Sequence, residues 1–283
     1  TTGAISTTTG PITVTSAGTY QATGAITSTS GAIQVTGAGN VTLGTVTSGS
    51  GGIDLRSTGG TLTVGTVTTT GALNLAASGD LTTGPITGGS GQVTLTSTTG
   101  KITLSGTVRT TSGDFTLNTV GDINLPGGFT STGGGALNLT ATGGGINLGA
   151  VSTTGPVTLR ATTQLSLTSL TGGASAVSLT STGDRIVLGG TVSTTSGSIT
   201  LSAFGDVLVD LISSTTGLIR LTATTGSIQR THPGTNIIAT TVPQLQAAKV
   251  VDLTVQADSV RVNASDIFRR PTSSVIIIYV VFS

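Results

Sequence analysis

Apolar and polar residues alternate in short bursts along the chain, and the bursts recur. The stretch 91–112, GQVTLTSTTGKITLSGTVRTTS, holds three of them: Val93-Thr94-Leu95, Ile102-Thr103-Leu104 and Val108. Alternation with a period of two marks a half-buried strand. Pieces this short, broken by Gly, do not make helices. Aligned on the first apolar pair, the unit begins at Ile12, Ile33, Ile53, Leu73, Val93, Phe115, Leu137, Val157, Val177, Ile199 and Ile219. Successive starts lie 20 to 22 residues apart. In most units a second apolar pair follows seven to nine residues later, as at Val41/Leu43, Leu62/Val64, Ile102/Leu104 and Ile186/Leu188. A third, shorter position comes after it, as at Val46, Val67, Ile86, Val108 and Val192.

Such a unit cannot bury its own apolar face. Stacked copies can, because each strand then pairs with its counterpart one turn on, about 4.8 Å away. The pattern predicts an all-β fold: a three-sided parallel β-helix of about 20 residues per turn and about 11 turns, its interior filled by aliphatic ladders. Right-handed winding follows from the usual hand of parallel crossover connections. The residue between the first apolar pair should face outward, and that column (Thr13, Gln34, Asp54, Asn74, Thr94 and onward to Arg220) is polar throughout. Pro11, Pro85 and Pro156 each follow Gly and precede a strand's first apolar residue, where Pro breaks no ladder bond. Gly at the corners is expected to supply positive φ in tight turns. A β-sandwich also uses short strands and Gly turns, but needs no fixed period.

Composition narrows the picture. Of 283 residues 44 are Gly, 7% are charged and 2% aromatic. Abundant Val, Ile and Thr separate the chain from disordered Gly/Ser-rich sequence. The net charge of +1 gives no reason to expect nucleic acid or an anionic membrane as partner. Without Cys there is neither a disulfide framework nor a thiolate metal site. No apolar run reaches the roughly 20 residues of a membrane-spanning helix.

Regularity divides the chain into repeats over 1–230 and an irregular segment over 231–283. The latter holds the one His (His232), Pro233, Pro243 and Pro271. Val250–Val255 and Val260–Val262 read as further strands, and 244–249 as a single helical turn. The chain then runs through Val275, Ile276, Ile277, Ile278, Tyr279, Val280, Val281 and Phe282 without alternation, as a strand buried on both faces or by a partner. This run is the candidate subunit-linking strand, by strand addition to the open end of another solenoid. The alternative is that it closes this molecule's own end.

Chemistry is sparse. The densest charged column precedes the second strand: Asp80, Lys101 and Asp122 on successive turns, with Arg185 and Asp206 further along. Alternating charges on neighbouring strands read as a stabilising ladder. Two carboxylates about 9.6 Å apart resemble a glycosidase pair only if the intervening Lys is ignored. His232 has no second His and no Cys to complete a metal site. No catalytic, metal or cofactor site is expected.

Units such as GDINLPGGFTSTGGGALNLTATGGGINLGAVSTTGPVTLRA (121–161) resemble the β-strand repeats of filamentous-haemagglutinin-type bacterial surface proteins. The resemblance covers residues 10–230. It implies an exported, extracellular shaft that serves adhesion or builds a surface fibre. The expected partners are further copies of the chain, or a surface glycan or host receptor. The competing class is a β-helical protein that binds or degrades polysaccharide.

Overall fold

In the chain's five-residue strands, segments such as Val93-Thr94-Leu95-Thr96-Ser97 put two aliphatic side chains and one small residue inward and two polar ones outward. Extended backbone with β-branched residues satisfies that division, and it does so in turn after turn. The computed structural model describes residues 1–257, 259–264, 266–267 and 277–280. Among these residues all regular structure is strand, and the strands pair in parallel. Two compact units, Thr1–Gly143 and Gly144–Ser283, make up the chain.

Thr1–Gly143 is a parallel β-solenoid. Its long strands pair in unbroken register: Ile12 with Ile33, Ile33 with Ile53, Ile53 with Leu73, Leu73 with Val93, Val93 with Phe115 and Phe115 with Leu137. Two columns of three-residue strands run alongside. One passes through Val41–Leu43, Leu62–Val64, Leu81–Thr83 and Ile102–Leu104. The other passes through Ile26–Ser28, Val46–Ser48, Val67–Thr69 and Ile86–Gly88. The inward side chains form the core, with Leu55, Leu75, Leu95, Leu117 and Leu139 fully buried. Burying each contributes about 1.5–3 kcal/mol.

Gly144–Ser283 is built the same way. Val157, Val177, Ile199 and Ile219 pair in sequence along its long-strand column. Here the second and third segments fuse twice, in the eight-residue strands Ile146–Thr153 and Leu165–Gly172. Elsewhere a short linker such as Gly44-Thr45 or Asp210-Leu211 separates them; in this pair the linker itself stays paired, Ala150 with Ser169.

Sequence regularity stops at Arg230, and strand pairing does not. Ile237–Ala239 pairs with Ile212–Ser214, Gln244–Ala247 with Arg220–Ala223, and Ser259–Asn263 carries the long column on. The helical turn expected over 244–249 is a strand, Gln244–Ala247, because Leu245 and Ala247 alternate inward with exposed Gln246 and continue the ladder.

The predicted strand starts at Pro11, Pro85 and Pro156 are present, with strands beginning at Ile12, Ile86 and Val157. Pro85 lacks an N–H but its carbonyl accepts from the Val67 N–H at 3.0 Å.

The glycine expectation needs correction. Among the described residues only Gly128, Gly134 and Gly234 have positive φ. Most long strands have a glycine two residues ahead, and these glycines have another reason to be glycine. A Cβ on Gly113 would lie 1.9 Å from the Gly91 carbonyl oxygen, and one on Gly135 would lie 2.2 Å from that of Gly113. At these turns close stacking of corner on corner leaves no room for a side chain; ahead of Val177 the position is held by Ser175.

Candidate functional surfaces

The corner ahead of the second strand holds the column singled out by charge. Leu81, Ile102 and Ile123 pair in register, so Asp80, Lys101 and Asp122 do stand on successive turns. Asp80 serves the fold here, since its Oδ1 accepts the backbone N–H of Lys101 at 3.0 Å. Asn40 does the same for Thr61 at 3.0 Å, and Asp206 for Ser227 at 2.8 Å. Asp114, ahead of a long strand, accepts from the Ala136 N–H at 2.8 Å. Each of these side chains ties one turn to the next by capping a backbone donor. Arg185 donates its Nε–H to Gln164 Oε1 at 3.1 Å, also one turn away.

His232 lies in the connection after Arg230. Its Nδ1 is 3.2 Å from Thr231 Oγ1 and 3.3 Å from Asp210 Oδ1, with the side chain 65% exposed. Among the described residues no group of three His, Asp, Cys or Glu side chains is placed to hold a metal ion. Nor, among them, is any helix long and apolar enough to cross a membrane.

Of the candidate linking strand, Val275, Ile276, Val281 and Phe282 lie outside the described residues. The backbone of Ile277, Ile278, Tyr279 and Val280 forms a strand paired parallel with Ser259–Val262 of the same chain.

The outward faces of the long strands are polar. In Thr1–Gly143, Asp54 is neutralised locally. Its carboxylate receives the Arg56 Nε–H at 2.9 Å and the Asn74 amide at 2.9 Å, beside Gln34 in a shallow depression. In Gly144–Ser283 a second depression is lined by Arg220, Gln244, Gln246, Arg261 and Asn263. There Arg220 Nε donates to Gln244 Oε1 at 3.1 Å.

Alternation alone does not identify two further sets of polar groups. The last residue of many strands is a small hydroxyl residue facing inward, and most of these hydroxyls bond a corner carbonyl. Ser48 reaches Gly51 at 2.7 Å, Ser97 reaches Gly79 at 2.7 Å and Thr194 reaches Gly197 at 2.6 Å. The available signal is a column restricted to Ser, Thr, Gly and Ala at one phase of the repeat. Asn236 is the other case: it is 1% exposed, donates to the Asp210 carbonyl at 2.8 Å and accepts from the Thr254 N–H at 3.1 Å.

Comparison of the chain with protein-family models, with curated proteins and with solved structures finds no match in any of the three.

Proposed function

We propose that the chain is a structural part of an exported surface fibre or adhesin shaft, of the filamentous-haemagglutinin type, and that it acts mechanically rather than as a catalyst. One observation carries this reading. The carboxylates and amides at repeat positions, Asp80, Asp206, Asp114 and Asn40 among them, bond one turn to the next. A solenoid whose conspicuous polar groups cross-link its own turns is built for stiffness along its axis. Backbone ladders and aliphatic columns supply the rest. End-to-end association by strand addition would extend the same bonding from one molecule to another.

Negative-stain microscopy and light scattering of the purified chain test the reading. Filaments, or rigid monomers that withstand prolonged trypsin treatment, are the expected result. If filaments form, removing Val275–Phe282 should abolish them; filaments unchanged by that deletion reject the linking role. Release of new reducing ends from a polysaccharide, lost in Asp80→Ala or Asp122→Ala, would replace the mechanical reading with an enzymatic one.

A further inference from the structure

In Gly144–Ser283 the described carboxylates all stand off the long-strand face. The outward positions of its long strands carry Arg160, Arg220 and Arg261. Among the described residues those strands carry no carboxylate. Asp184, Asp206 and Asp210 stand at corners between strands, as do Arg185 and Lys249, and Asp252 and Asp266 lie in the second-strand column with Arg230. The near-neutral composition therefore conceals a cationic face. In Thr1–Gly143 the corresponding face pairs its Arg56 with Asp54 at 2.9 Å.

Strand register aligns the cations. Arg220 stands beside Gln244, and Gln244 beside Arg261, so the two guanidinium groups issue from strands two turns apart. That separation is about 10 Å along the axis. Arg220 uses its Nε–H on Gln244 Oε1 at 3.1 Å. The bond steadies the guanidinium and leaves its terminal N–H groups for a ligand. It also assigns the Gln244 amide NH2 as an outward donor. Gln246 and Asn263 add amides to the same depression. Such a surface offers planar donor forks for anions, with neutral donors and acceptors between and beside them.

We propose that this face binds a linear polysaccharide bearing carboxylates. One carboxylate sits on Arg220, a second on Arg261, and the amides of Gln244, Gln246 and Asn263 meet hydroxyl groups along the chain. The face suits an extended polymer because its binding groups repeat along the solenoid axis. Nucleic acid fits less well. A nucleic-acid strand carries a phosphate about every 3.4 Å, a denser row of charge than two guanidinium groups about 10 Å apart can meet. The proposal adds a ligand to the mechanical role and does not depend on filament formation.

The test is binding of the whole chain to immobilised polygalacturonate, with neutral dextran and dextran sulfate as comparators, across a salt series. Arg220→Gln and Arg261→Gln are expected to weaken polygalacturonate binding by about tenfold each. The double variant should abolish it. Arg160→Gln removes the same charge from the same face outside the depression and is expected to bind as the parent does. Thermal melting of each variant should match the parent, since the altered side chains are exposed. Absence of polygalacturonate binding overturns the proposal. Equal weakening by Arg160→Gln also overturns it, by reducing binding to net charge. Binding to dextran sulfate alone overturns the carboxylate assignment. Filament formation is scored separately, so this result and that of the mechanical reading remain distinguishable.

Discussion

At the residue scale, the glycines two residues ahead of most long strands are fixed by contact rather than by conformation. A Cβ on Gly113 would sit 1.9 Å from a backbone carbonyl oxygen, which no rotamer change can relieve. Gly113→Ala must therefore push two stacked turns apart, at a cost of about 1–3 kcal/mol. Gly18→Ala meets nothing within 4 Å and should leave stability unchanged. Thermal melting of the two variants checks the contrast, and equal effects would defeat the stacking argument. The repeat made these glycines conspicuous in the sequence. Their reason was not legible there, because a clash with the turn below depends on axial spacing that local turn preferences do not contain. The same holds for Asp80. Its charge drew attention to possible chemistry, but its contact is a backbone donor one turn on. Asp80→Asn should be close to neutral, since Asn40 caps the Thr61 N–H in the same way, whereas Asp80→Ala should cost about 1 kcal/mol.

At the scale of the element, many strand ends place a small hydroxyl residue at the inner corner, and these corners are not equivalent. Thr194 Oγ1 donates to Gly197 O at 2.6 Å and lies 3.0 Å from Ser214 Oγ. Thr110, at the same phase of another turn, is 3% exposed and its hydroxyl has no protein partner among the described residues. Replacing an unpaired buried hydroxyl by an isosteric methyl removes a desolvation cost, while replacing a paired one leaves an acceptor orphaned. Thr110→Val should therefore raise the melting temperature or leave it unchanged, and Thr194→Val should lower it by the equivalent of about 1–3 kcal/mol. A loss of stability in both would show that packing alone governs the site. Strand existence and inward columns were legible from alternation, because period two is a property of a single strand. Fusion of two segments in Ile146–Thr153 was not, because it depends on whether a linker pairs with its neighbour on the next turn.

At the scale of the molecule, a solenoid's stability is a sum of turn-to-turn interfaces, so the weakest interface opens first. Within Gly144–Ser283 the interfaces differ in size. Ile199–Ala203 pairs with Ile219–Ala223 over five positions. Ile228–Arg230 meets Val251–Asp252 over two, and Ile237 and Ile238 meet Val255 and Gln256 over two. The apolar-pair signal fades after Arg230 because Arg230 stands in register with Val209, and Pro243 precedes Gln244 where the earlier long strands have an aliphatic residue; this is why the sequence suggested an irregular segment where parallel pairing continues. What compensates is Asn236, whose side chain ties the Asp210 carbonyl on one side to the Thr254 N–H on the other. Asn236→Ala leaves that buried N–H and carbonyl without partners, a local cost of about 1–3 kcal/mol. Hydrogen exchange by mass spectrometry should find peptides over 237–256 exchanging faster than those over 199–223 in the parent. Asn236→Ala should accelerate the first set and leave the second unchanged. Acceleration spread evenly across 199–256 would instead mean that these turns open as one cooperative block, and the short interfaces would then have no independent role.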